Sequence, residues 1–172
     1  WRTYQQPLYT GNTVSSGGGV LEVSTVSIEE NNDKQPVNYV LPPGITRITD
    51  PSQSQLVESN EQAMCMVARN LGDNEAKAVY KNCNYDMRQY KHLQMYVHAN
   101  ALAENVTATA DGECSIFIRL GSDYKSNYYE YEVPLTITPH GSYDGNSNAA
   151  ATQVWPQENM IDIPLSKLTN IK

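Results

Sequence analysis

Apolar residues recur at every second position through most of this chain, and a period of two leaves room for little except β-strands. KHLQMYVHA (91–99) puts Leu93, Met95 and Val97 on one face and His92, Gln94, Tyr96 and His98 on the other. CSIFIRL (114–120) sets Ile116, Ile118 and Leu120 against Phe117 and Arg119. YYEYEVPLTI (128–137) aligns Tyr129, Tyr131, Val133, Leu135 and Ile137 for packing and turns Tyr128, Glu130 and Glu132 outward. VLEVSTVSI (20–28) alternates as well, but its apolar phase shifts near Ser24 to Val26, which predicts a bulge. Shorter strands are expected at VNYVL (37–41), AMCMVAR (63–69), AVYKN (78–82) and MIDIPL (160–165).

Turn residues separate these runs. Pro42-Pro43-Gly44 suits a type II turn with Gly44 where φ must be positive. Asp111-Gly112, Gly121-Ser122-Asp123 and Gly141 to Gly145 punctuate the rest. Helix is scarce: Asp86 caps one turn through MRQYK, PLSKL (164–168) forms another, and Asp50-Pro51 opens a short third. Many short strands with turns between them predict a mainly β fold, a single antiparallel β-sandwich of jelly-roll or galactose-binding-like type. SSGGG (15–19) reads as a flexible joint, so residues 1–19 are expected to be a tail or linker and 20–172 the sandwich.

Charge narrows the partners. Twelve basic residues against nineteen acidic ones give −7 and a pI near 4.9, with no basic stripe for nucleic acid or an anionic membrane surface. No apolar run approaches the ~20 residues that cross a bilayer as a helix, so the domain is expected to be soluble and not itself membrane-spanning. The abrupt opening WRTYQQPLY reads as a piece of something larger. Cys65, Cys83 and Cys114 match neither a disulfide scaffold nor a zinc pattern, and each reads as a small buried hydrophobe. A single disulfide in an oxidising compartment stays open.

The residues with chemical potential are few. Glu130 and Glu132 lie two apart on one strand face, ~7 Å, a separation that would suit an inverting glycosidase pair. Nothing beside them splits their pKa values, so the wet face of a strand is the stronger reading. His92 and His98 share a face but stand ~20 Å apart and cannot ligate one metal. The chain has no GxSxG elbow and no HExxH, and SSGGG precedes a strand rather than a phosphate-cradling helix. No catalytic residue and no cofactor are therefore expected. DGNSN (144–148) begins like a calcium loop, but position six is Ala149 and position twelve is Trp155, leaving at most an irregular, weak calcium site. Asn105-Val106-Thr107 matches a glycosylation sequon only by pattern. Tyr96, Tyr124 and Tyr128 are the aromatic side chains with which a partner or a glycan would make contact, with Glu130 and Glu132 beside them. On those residues alone, a carbohydrate-binding module is the alternative to a structural domain.

Four stretches together are more specific: VSIEENNDKQPVNYVLPPGI (26–45), YKNCNYDMRQYKHLQMYVHAN (80–100), FIRLGSDYKSNYYEYEVPLTITPHG (117–141) and VWPQENMIDIPLSKL (154–168). They resemble the SprA (Sov) family of Bacteroidetes gliding-motility and type IX secretion proteins, and the likeness runs over the whole chain. The resemblance implies a non-catalytic domain of a very large outer-membrane β-barrel that conducts protein cargo, set among the barrel strands. It also implies the partners: the rest of the parent barrel, accessory translocon subunits and passing cargo. The place would be the cell envelope, on one side of the outer membrane. The chain lacks the repeated ~10-residue lipid-facing strands of a barrel wall.

Overall fold

A computed structural model of the chain describes residues 2–4, 18–49, 58–83, 85–103, 110–123 and 125–169. Eight strands and three short helices follow in the order β1 (Arg2–Tyr4), β2 (Val20–Ser27), α1 (Ile28–Asn31), β3 (Gln62–Arg69), β4 (Ala78–Tyr80), β5 (His92–Met95), β6 (Ser115–Gly121), β7 (Tyr128–Pro134), α2 (Asn148–Val154), β8 (Ile161–Pro164) and α3 (Leu165–Thr169). The fold is thus mainly β, and every strand pairs antiparallel: β1 with β4, β2 with β3, β5 with β8, and β6 with β7. These are four two-stranded ribbons, with no ladder joining one to another among the described residues.

Two of the ribbons form a small two-layer unit. Leu93 pairs with Ile163 and Met95 with Ile161, which places Ile161 and Ile163 on one face of β5–β8. Ile116 with Val133 and Ile118 with Tyr131 mark the matching face of β6–β7. Val97, Val133, Ile161 and Ile163 form a buried cluster with Leu93, Ile116, Ile118, Leu135 and Leu168 packed against it. Burying a side chain as completely as Ile161 contributes about 1.5–3 kcal/mol. The covering ribbon is four residues long and the covered one seven. Tyr131, expected in the packing, stands 36 % exposed. Asn159 closes the unit: its side chain accepts from Thr136 N at 2.7 Å and donates to Thr136 O at 2.8 Å, imitating a strand neighbour.

The other core is centred on Trp155 and built largely from irregular chain. Val37, Tyr39, Val40, Ala151 and Val154 surround the indole, whose Nε1 donates to Val40 O at 2.8 Å. Tyr39 and Tyr96 meet it edge-on, with ring centres 6.1 Å and 6.4 Å away. VNYVL does not form the expected strand, apart from one bridge between Val37 and Gly141. Residues 37–40 are buried in succession, so no wet face exists to alternate with. Their polar groups are met individually: Tyr39 N donates to Asn31 O at 2.8 Å, and Asn38 exchanges two bonds with the Tyr143 backbone. Among the described residues no buried side-chain nitrogen or oxygen lacks a partner. The turn after this segment is as expected, with Gly44 at φ 77 and Ile45 N bonded to Pro42 O at 3.1 Å.

Among the described residues β2 and β3 make the longest ribbon, eight rungs paired one-for-one from Val20–Arg69 to Ser27–Gln62. The predicted bulge is absent. Burial does change phase, from Leu21 and Val23 to Val26, because only the Ser27 end enters the Trp155 core, where Val26 and Ala63 pack. The opposite end is tied by Glu75, whose carboxylate takes N–H bonds from Gly72 and Gly19 and pairs with Lys77 at 3.0 Å. Cys65 is half-buried on β3, but Cys83 and Cys114 are exposed, against expectation, since each sits in a loop beyond a strand end; all three thiols are free. One turn of 3₁₀ helix at Met87–Gln89 and α3 stand where helix was expected. The predicted turn at Asp50-Pro51 lies outside the described residues.

Candidate functional site

The tyrosine-rich hairpin supplies the first candidate face. Opposed residues of an antiparallel pair share a face, so Phe117, Arg119, Tyr128, Glu130 and Glu132 come together on the outside of β6–β7. They are largely spent on one another. The Arg119 guanidinium lies 4.2 Å from the centre of the Tyr128 ring and 5.2 Å from that of Phe117, and it also pairs with Glu130. Its side chain is only 9 % exposed. Glu132 accepts from the Ser115 hydroxyl. A ring already covered by a guanidinium offers little open face to a sugar. Glu130 and Glu132 are both exposed, in keeping with a wet strand face.

The hairpin turn is held by one carboxylate. Asp123 Oδ1 accepts from the backbone N–H groups of Lys125, Ser126 and Asn127, and Oδ2 from the Asn127 side chain at 2.6 Å. These donors, the Ser126 amide first, hold its pKa far below the usual carboxylate range. Gly121 closes the same turn: a Cβ there would sit 2.1 Å from Asn127 O. Tyr124, in this turn, lies outside the described residues. Tyr96 is half-buried, its ring against Trp155 and its hydroxyl donating to Pro43 O at 2.9 Å, so it serves the first core.

The remaining sequence candidates are structural in place. His92 Nδ1 meets Asp162 at 2.8 Å on the outside of β5–β8, where Gln94 donates to the same carboxylate; these bonds lower the Asp162 pKa. His98 turns the other way, under Trp155. DGNSN is a helix entry: Asp144 Oδ1 accepts from Asn146 N, and the Ser147 hydroxyl caps α2 by accepting from Ala150 N. Among the described residues no group of three His, Cys, Asp or Glu side chains is arranged to hold a metal ion. The sequon at Asn105 lies outside the described residues.

A second face escaped the sequence reading. Leu21, Val23 and Thr25 stand opposite Ala68, Met66 and Met64 on one side of the β2–β3 ribbon. Met64 is 38 % exposed and Met66 40 %, and neither belongs to a buried cluster. The signal was present in AMCMVA, which is apolar in both phases and so cannot have one wet face and one dry one. Unbranched, polarizable methionine suits a surface that adapts to what it meets.

No helix among the described residues is long and apolar enough to cross a membrane. Comparison with curated proteins returned no match. The family model SprA_N, described as a motility related/secretion protein, matches residues 1–172, and the chain belongs to that family.

Proposed function

We propose that this chain is a non-catalytic structural and interaction domain of a type IX secretion outer-membrane translocon, serving protein secretion and gliding motility. The observation that carries the reading is the family match over the full 172 residues. The ribbon β2–β3 supports it, because eight regular rungs present an open apolar face that a purely self-contained module would cover. Its partners are the rest of the parent barrel, accessory translocon subunits and passing cargo, at the cell envelope. No cofactor is required for such work. The finer architecture we propose is a jelly-roll-like sandwich seeded by the two-layer unit of β5–β8 on β6–β7.

The test is a parent protein from which residues 1–172 are removed, with its level in the outer membrane measured alongside cargo secretion and gliding. Loss of secretion and gliding at an unchanged parent level is the expected result. Normal secretion and gliding would overturn the reading.

A further inference from the structure

The segment from Tyr96 to Asn100 runs between the two cores. Val97 enters the cluster of Val133 and Ile161, whereas Tyr96 and His98 face Trp155 on the other side. His98 lies with its ring 5.8 Å from the indole, edge-on. Its Nδ1 is 2.7 Å from Val154 O, the carbonyl of the last residue of α2, and its Nε2 is 3.0 Å from Asn100 Oδ1. The Thr138 hydroxyl, 3.3 Å from Nδ1, completes the contact, and Thr138 N holds Ala99 O at 2.8 Å.

Both ring nitrogens thus face acceptors. A carbonyl only accepts, and the Asn100 amide is oriented by its own N–H, which donates to Ala101 O at 2.7 Å. The neutral ring has one N–H for two acceptors. Val154 O, at the shorter distance, and Asn100 Oδ1 compete for it. A second proton would satisfy both but place a charge between Trp155 and buried Thr138.

Burial opposes that charge most strongly, and Lys34 adds repulsion, while the bonds to Val154 and Asn100 favour it; the balance lies below the ordinary value of 6.5. The other titratable neighbours are Tyr39 and Tyr96 on the remaining edges of Trp155, and His140, which bonds Ala101 O at 2.9 Å. Burial, with a smaller push from Glu61, raises Tyr39 to about 12, so that hydroxyl stays neutral throughout.

We propose that His98 is a proton-sensitive joint between the two cores, which holds the Tyr96–Asn100 segment against α2 and Trp155 when neutral and loosens that contact on acidification. The sign follows from linkage. With the folded value below the unfolded one, the stabilisation is complete above about pH 6.5 and is lost as the pH falls through the folded value.

The test uses the whole chain. The His98 ring resonance is titrated by NMR, and thermal unfolding is followed from about pH 8 to about pH 5. His98→Gln keeps a donor and an acceptor without titrating; His92→Gln and His140→Gln serve as controls. Expected are a His98 midpoint below 6.5 and a fall in Tm with acidification that His98→Gln flattens and the controls retain. A midpoint at or above 6.5, or an equal slope in His98→Gln, overturns the proposal. Should His98→Gln fail to fold, the wild-type titration decides alone.

Discussion

The Trp155 core and the β2–β3 ribbon are opposites. The core is built from a four-residue buried run with almost no regular pairing, seven residues of α2, and an indole bonded to Val40 O. The ribbon has the longest unbroken ladder among the described residues, ~26 Å at the usual strand rise, yet half of its residues are exposed and only Ser27 is fully buried. Regular backbone pairing and burial are therefore separate properties here. An isolated two-stranded ribbon is marginal in water, so this one depends on its attachments: Val26 and Ala63 in the core at one end, Gly19 against Glu75 at the other. Stability resides in the Trp155 core, whereas the ribbon leaves Met64 and Met66 exposed on its regular face.

The sharpest way to break this division is Trp155→Ala. It removes the ring that Tyr39, Tyr96 and His98 pack against and leaves Val40 O without its donor. A loss of about 3–5 kcal/mol is expected in denaturant unfolding; a loss no greater than that of a ribbon substitution would put the centre of stability elsewhere. Gly121→Ala comes next, because its Cβ would meet backbone rather than a movable side chain. About 1–3 kcal/mol should be lost, with local amide exchange accelerated across the β6–β7 turn. Asn159→Ala, at a residue with no exposed surface, removes two bonds to the Thr136 backbone and should also cost about 1–3 kcal/mol.

A smaller effect, visible only in acid, is expected of Asp123→Asn. The Asp123 carboxyl titrates below its ordinary value of 3.8 in the folded state, so its contribution is complete above that pH and disappears as the pH falls further. Acid unfolding curves of the variant should be flatter below about pH 4 than those of the wild type. Equal curves would mean that the turn does not depend on the charge.

Seven of the eight strands, all but β1, were legible as β-rich runs, most of them with a period of two, and the Pro42-Pro43-Gly44 turn because glycine suits its third position. VNYVL misled because a continuous apolar run looks the same whether it is a central strand or irregular chain buried on all sides. α2 was missed although Ser147 and the alanines of NAAATQV favour a capped helix; the repeated Asp and Asn of DGNSN drew attention to calcium instead. In VLEVSTVSI the phase change was real, but its cause is the ribbon entering a core at one end, a tertiary fact that no local pattern records. Of the candidate contact residues, Tyr128, Glu130 and Glu132 were assigned to the correct face. Their engagement with Arg119 and Ser115 depends on cross-strand register, which the sequence leaves open.

The most direct test of the interaction reading is a double substitution, Met64→Glu with Met66→Glu, made in the parent protein and in the isolated chain. Both side chains are exposed and lie outside the buried clusters, so unfolding of the chain should change by no more than about 0.5 kcal/mol. With the fold intact and the parent at its normal level, the proposed interaction role predicts a sharp fall in cargo secretion, because two carboxylates would then stand on the apolar side of the ribbon. Secretion at the wild-type rate would contradict the account, since the β2–β3 face would then have no partner to lose.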